Sequence, residues 1–355
     1  MKVLLKTLGI LLLLLIVGIL YIVSTTGSFR TITNSYDGPI TSINMPGAED
    51  LAIDRDAGFM IISSADRAGD RDGESTVNGL YYMDLKDGLN KPIPLIRGNG
   101  EALYPHGISM LRLDSNLYRL LVINHHKQES TDERAHTIEE YTLQDQTLTH
   151  VKTHKHKLLL SPNDVVAIDR DRFYFTNDHG SSTSLGLFAE DYLGLRRSNA
   201  VYYDGQNYSI VADGIAYANG INYDPERQLI YVASPRDFLV KVYTRNPDGT
   251  LDHQTDIDCN SGVDNIELDE NGTLWIGSHP KLLTFSAYSG GSKPLSPSEI
   301  ITIDYKDTDQ YEVQSIYESD GSDMSASTVA LPHKDKVYMG NVMDDHFIIL
   351  DRKAL

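Results

Sequence analysis

After residue 45 the chain is a succession of short apolar runs, broken by turns rich in Asp, Asn and Gly, and the runs come in pairs that repeat. The second member of each pair is plain: FMIISS (59–64), YRLLVINH (118–125), RFYFTNDH (172–179), QLIYVASP (228–235), TLWIGSHP (273–280) and KVYMGNVM (336–343). The first members open at Glu49, His106, Asn163, Asn219, Asp264 and Ser327, at intervals of 57, 57, 56, 45 and 63 residues. Six imperfect copies near one period predict an all-β chain built as a six-bladed β-propeller rather than a sandwich. Helical periodicity is nearly absent from this body, and one helix is expected over 186–195.

In a propeller the first strand of each blade lines the axis and the second runs back beside it. The start of one and the end of the other therefore share a face, and two rings of residues can be read off. The first holds Glu49-Asp50, His106, Asn163-Asp164, Asn219, Asp264-Asn265 and Ser327. The second holds Asp66, Asn124-His125, Asn177-Asp178-His179, Arg236-Asp237, His279 and Asn341.

Carboxylates and amides at the same phase of several blades would converge on the axis as unpaired acceptors, each costing about 1–3 kcal/mol if left bare. A cation resolves this. Glu49, Asn163, Asn219, Asp264 and Asn265 offer five oxygen donors, two of them charged, which balances one divalent ion. Calcium accepts 6–8 oxygens in irregular geometry, where magnesium demands a stricter octahedron. Asp50 and Asp164 follow ring residues directly, so strand alternation sends them away from those ligands. They could hold a second ion deeper in the channel, with a backbone carbonyl near Ile108. Any single Asp or Asn at a strand start is accounted for as a turn former; the same chemistry recurring at one phase of four repeats is harder to account for that way.

His106, His125, His179 and His279 fall on the same face. A zinc centre is the alternative use of such a cluster, but zinc seldom mixes with so many amides. Proton transfer suits imidazole near neutral pH. His106 and His125 belong to one blade and are expected within hydrogen-bonding reach of each other. His154-Lys155-His156-Lys157 reads as a solvated strand, and DRAGDRDGESTVNG (66–79) as a polar loop on the active face, either disordered or a mobile rim.

Composition narrows the partners. With 31 Lys plus Arg against 50 Asp plus Glu, the net charge is −19, which repels phosphate backbones and argues against nucleic acid. The single cysteine, Cys259, excludes an internal disulfide, zinc fingers and iron–sulfur clusters. Residues 1–29 stand apart: Lys2 and Lys6 precede a stretch, 7–29, with no charged side chain. It is long enough to span ~30 Å of hydrocarbon and longer than the usual signal-peptide core. The expectation is an uncleaved anchor over 1–29 with a propeller domain over 30–355, the lysines cytoplasmic and the body periplasmic or extracellular; the alternative is a secreted body after signal cleavage.

GAEDLAI (47–53), YPHGIS (104–109), LLVINH (120–125), NDVVA (163–167), FYFTNDH (173–179), ANGIN (218–222), VDNI (263–266) and LWIGSHP (274–280), in this order and spacing, resemble the paraoxonase/arylesterase family. The resemblance runs from about residue 30 to the end. It implies a six-bladed propeller with two axial calcium ions. Glu49, Asn163, Asn219, Asp264 and Asn265 match the family's catalytic-calcium ligands; Asp50, Asp164 and the Ile108 carbonyl match its structural-calcium ligands. His106 and His125 match its proposed dyad, and His179 and His279 its pocket lining. Family members hydrolyse lactones, aryl esters and often organophosphates, and many keep an N-terminal hydrophobic segment. Animal members close the ring with a disulfide, which this chain lacks. Its closing segments, about 39–43 and 347–350, must hold by strand pairing alone.

The function expected is calcium-dependent hydrolysis of a small lactone or ester, with His106, oriented by His125, activating water. The rivals are a gluconolactonase-type sugar lactonase and a non-catalytic calcium-stabilised binding propeller.

Overall fold

The computed structural model describes residues 2–74, 77–86, 88–97, 103–126 and 136–355. Six antiparallel sheets follow one another round a central axis. Blade one comprises Ala48–Asp54, Phe59–Ser64, Gly79–Asp84 and Ile93–Pro94; blade two comprises Pro105–Asp114, Leu117–His125, His136–Gln144 and Thr147–His154, with Ile96–Arg97 added in parallel at its edge. Blade three runs from Pro162–Ala167 to Tyr208–Ile215, blade four from Ile221–Asp224 to Leu251–Asp258 and blade five from Gly262–Leu268 to Gln310–Ser319. Blade six takes Ser327–His333, Lys336–Asn341 and His346–Asp351 from the C-terminus and Ile40–Asn44 from the N-terminus. The six second strands fall where the apolar runs place them.

The core lies between blades. Phe59, Ile61 and Leu80 of blade one interleave with Ile108, Leu120 and Val122 of blade two, and similar wedges recur around the ring. Closure is by pairing alone: Ile40 faces Leu350 and the register runs to Asn44 opposite His346. Phe347, Ile348, Ile349 and Leu350 are buried in the wedge this pairing completes, with Ile43 packed on it. Apolar burial and ladder bonds thus hold the seam, while Cys259 is free and buried elsewhere.

The strand-register pattern shows a feature that simple alternation misses. In blades one, two, three, five and six the first strand shifts register at the ring position: between Ala48 and Asp50, Pro105 and Ile108, Pro162 and Val165, Val263 and Ile266, and Ser327 and Val329. A bulge re-aims side chains and ends regular pairing. It lets two successive residues, such as Asp264 and Asn265, both serve the channel.

Outside the propeller, Lys2–Ser24 is a 23-residue helix with no buried residue, long and apolar enough to cross a membrane, about 34 Å at 1.5 Å per residue. Ser184–Leu193 forms the expected helix, two residues earlier than predicted, and Leu282–Ser289 a second. Part of the segment 66–79 is ordered: Arg67–Asp72 is a short helix, capped by Asp66, whose Oδ1 accepts from the Gly69 N–H at 2.9 Å, and ended by Gly73 at φ 78°. Residues 75 and 76 of that segment lie outside the described residues.

Candidate active site

The first strands, with Asn219 just ahead of the strand Ile221–Asp224, bring Glu49, His106, Asn163, Asn219 and Asp264 to the floor of a cavity of about 310 Å³. The two helices after blades' second strands roof it, with Tyr192, Leu282, Leu283 and Phe285 as apolar walls. Asp50, Ile108, Asp164 and Asn265 line a second cavity, of about 390 Å³, at the other end of the channel. The two expected ligand sets are thus separated along the axis, with Asn265 between them.

Among the buried side-chain oxygens without a hydrogen-bond partner in the described residues are Glu49 Oε2, Asn163 Oδ1, Asn219 Oδ1, Asp264 Oδ1 and Asn265 Oδ1. They come from the five residues expected as ligands. In four of them the other polar side-chain atom is committed. Asn265 Nδ2 donates to Glu49 Oε1 at 3.0 Å, Asn163 Nδ2 donates to Asp178 Oδ2 at 3.3 Å, and Asp264 Oδ2 accepts from His279 Nε2 at 2.8 Å. Two carboxylates and three amides are a hard-oxygen set fitted to calcium. Among the described residues, no three His, Cys, Asp or Glu side chains form a metal-binding group. Burial, opposed by Arg67 and reinforced by Asp264, pushes the Glu49 carboxyl up to about 7.

Asp50 and Asp164 are engaged differently. Asp50 Oδ2 accepts from the Ile108 N–H and Asp164 Oδ2 from the Ile221 N–H, each at 2.7 Å, so each reaches the following blade. Their Oδ1 atoms accept from Leu51 N and Val165 N. The residue before each cross-blade donor is a glycine for steric cause: a Cβ on Gly107 would lie 2.5 Å from Asp164 Oδ1, and one on Gly220 2.4 Å from the Asp264 carbonyl oxygen. Ile108 thus meets Asp50 through its N–H. Burial raises both carboxyls well above the usual range, reinforced at Asp50 by the charges of Asp164 and Glu49 and at Asp164 by that of Glu49, against its bonds from the Ile221 and Val165 N–H groups.

The histidines separate into roles. His106 and His125 pack edge to face with ring centroids 4.8 Å apart, and their hydrogen bonds go elsewhere. Arg67 Nη2 donates to His106 Nδ1 at 2.5 Å, and His106 Nε2 lies 3.7 Å from Glu49 Oε1. His125 Nδ1 lies 3.0 Å from His136 Nδ1, while its buried Nε2 is bare. The expected direct hydrogen bond is absent because the blade-two bulge and Arg67 reposition His106. Burial, then neighbouring His136 and Arg67, hold His125 down to about 3. His179 bridges Asp178 and Asp191 at 2.7 Å each; burial opposes its charge, and the two carboxylates win, raising it to about 10. His279 stacks on Phe285 at 4.0 Å. Sequence reasoning missed Arg67, His136, Asp191, Phe285 and Thr26. The capped helix begun by Asp66 was the signal for the first; the others have none before the chain is folded.

Residues 69–348 match the Arylesterase family model. Serum paraoxonase/arylesterase 2 of Gallus gallus is 34% identical over 308 residues, covering 83% of each chain. The chain belongs to the paraoxonase/arylesterase family. Serum paraoxonase/arylesterase 1 of Homo sapiens is 36% identical over 239 residues, 67% of this chain and 66% of that protein, and the Mus musculus protein of that name is 30% identical over 335 residues. Among solved structures, a luciferin-regenerating enzyme shares the fold at a TM-score of 0.56 and 12% identity, covering 88% of this chain and 95% of that one. A regucalcin from Agrobacterium tumefaciens does so at 0.51 and 11% identity, covering 90% and 95%.

Proposed function

We propose that this paraoxonase/arylesterase family member is a calcium-dependent hydrolase of lactones and aryl esters. The observation that carries the proposal is the set of five bare, buried oxygens on the axis. Glu49, Asn163, Asn219, Asp264 and Asn265 would hold one calcium ion at the cavity floor. Asp50, Asp164 and the Ile108 carbonyl would hold a second, structural one, which the closeness of two buried carboxylates favours. A calcium ion at the floor supplies a Lewis acid for a carbonyl oxygen, or for a phosphoryl oxygen in organophosphate side reactions.

The chain's own groups do the rest. His279 orients Asp264, and Asn265 orients Glu49. The roof helices and Phe285 exclude water around the acyl group. His106 is the proton-transfer residue. While Arg67 donates to Nδ1, the neutral ring carries its proton on Nε2, facing the cavity. To take a proton from water at Nε2, it gives up the Arg67 bond and carries its hydrogen on Nδ1; the imidazolium so formed returns the Nε2 proton to the leaving alkoxide and is neutral again. His125 supports the ring edge-on, and His179 with its two carboxylates walls the substrate side.

We assign 1–29 as a membrane anchor and 30–355 as the catalytic propeller, outside the cytoplasm. Support comes from the apolar helix behind Lys2 and Lys6 and from the packing of Thr26 into the cavity wall. The decisive assay is hydrolysis of a chromogenic aryl ester and of a γ- and a δ-lactone, with and without chelator. Chelator-sensitive turnover is expected. Activity on sugar lactones alone would favour a gluconolactonase, and no turnover a binding propeller.

A further inference from the structure

The residues that follow the apolar helix are built into the propeller's active face. Thr26 is 1% exposed and lines the cavity, although it lies only two residues beyond the helix. Its carbonyl accepts from Leu282 N, the first residue of the roof helix Leu282–Ser289, at 3.0 Å. Gly27 turns at φ 67° so tightly that a Cβ would lie 2.1 Å from the Pro280 carbonyl oxygen.

Arg236 ties this junction to the other roof helix. Its Nη1 donates to Thr25 O at 3.0 Å and its Nη2 to Thr25 Oγ1 at 2.9 Å. Its Nε donates to Asp191 O and Nη2 to Tyr192 O, at 2.9 and 2.8 Å. Those carbonyls end the helix Ser184–Leu193, where positive charge is favoured. Tyr21 OH adds a bond to Leu193 O at 3.1 Å, and Arg236 itself lines the cavity. One guanidinium, 5% exposed, therefore fixes the distance between the membrane-proximal junction and the roof.

We propose that Arg236 is a positioning residue that clamps the anchor junction as a wall of the substrate cavity, with Thr26 setting how large an acyl group fits. The choice of substrate rests on the hydrolase reading; the clamp does not. Both are tested in full-length protein. Thr26→Cys places a thiol on the wall, and the one native cysteine, Cys259, is buried. With Arg236 present, a small maleimide should label Thr26→Cys slowly; adding Arg236→Met should speed labelling at least 10-fold, and Arg236→Lys should restore part of the protection. Equal rates in the Arg236 and Arg236→Met backgrounds would overturn the clamp, and this test needs no turnover. In kinetics, Arg236→Met should raise KM about 10-fold with kcat within 2-fold. Thr26→Met, which keeps the clamp, should raise KM for a long-chain lactone at least 5-fold more than for phenyl acetate. Should Arg236→Met fail to fold, Thr26→Met and Arg236→Lys decide; an unchanged KM ratio in Thr26→Met would overturn the specificity role.

Discussion

Asn265 donates from Nδ2 to Oε1 of Glu49 at 3.0 Å across 216 positions of sequence, and each residue's remaining oxygen is left bare on the axis. The bond joins blade five to blade one and fixes both oxygens toward one centre. If calcium fills that centre, excess EDTA should lower the melting temperature and abolish lactone turnover, with both restored by calcium. Calcium at 100 times its Kd contributes about 2.7 kcal/mol. A melt and rate indifferent to EDTA would remove calcium from the account.

Gly220→Ala tests the same centre sterically. The new methyl would meet the Asp264 carbonyl oxygen at 2.4 Å and Asn265 Cα at 2.7 Å. Overpacking of this kind costs about 1–3 kcal/mol. Calcium affinity, read by titration, should fall along with stability. A variant with wild-type affinity would show that the ring does not depend on this contact.

His106→Gln should keep calcium content and melting temperature while lowering kcat/KM for lactones by roughly 10²–10⁴-fold. The loss should appear in kcat, because proton transfer matters only in the transition state. Aryl esters, with better leaving groups, should lose less. Near-wild-type lactone turnover would take His106 out of the chemistry.

His179 supplies a pH dependence whose sign is fixed. Its native value of about 10 lies above the ~6.5 of an unfolded chain. The native state therefore binds this proton more tightly. The stabilisation is complete below pH ~6.5 and is lost as pH rises through about 10. Denaturant midpoints between pH 6 and 10.5 should fall with pH, and His179→Gln should flatten the fall. Parallel profiles would rule His179 out as its source.

Cell fractionation with sequencing of the mature N-terminus tests the anchor. Full-length protein in the membrane fraction is expected. A soluble product beginning near residue 25–30 would show cleavage through the segment that carries Thr26.

The sequence by itself determined the period, and with it the six blades, the seam formed without a disulfide and the five residues whose bare oxygens gather at the channel. A propeller repeats its backbone, so residues at one phase of the repeat meet on the axis whatever lies between them. Tertiary structure decided what no period encodes. Strict alternation sends Asp264 and Asn265 to opposite sides, but the bulge between Val263 and Ile266 turns both to the channel. His154, in a stretch that reads as solvated, is buried against Tyr208 OH at 2.7 Å and Glu140 at 3.0 Å, because blade three packs over the edge of blade two. Arg67 reaches His106 from 39 residues away, His136 stands behind His125, and Thr26 joins the cavity through Arg236, 211 residues from Thr25. Each of these contacts joins segments at different phases of the repeat, or outside it, and is set by how blades, bulges and helices pack rather than by the pattern along the chain.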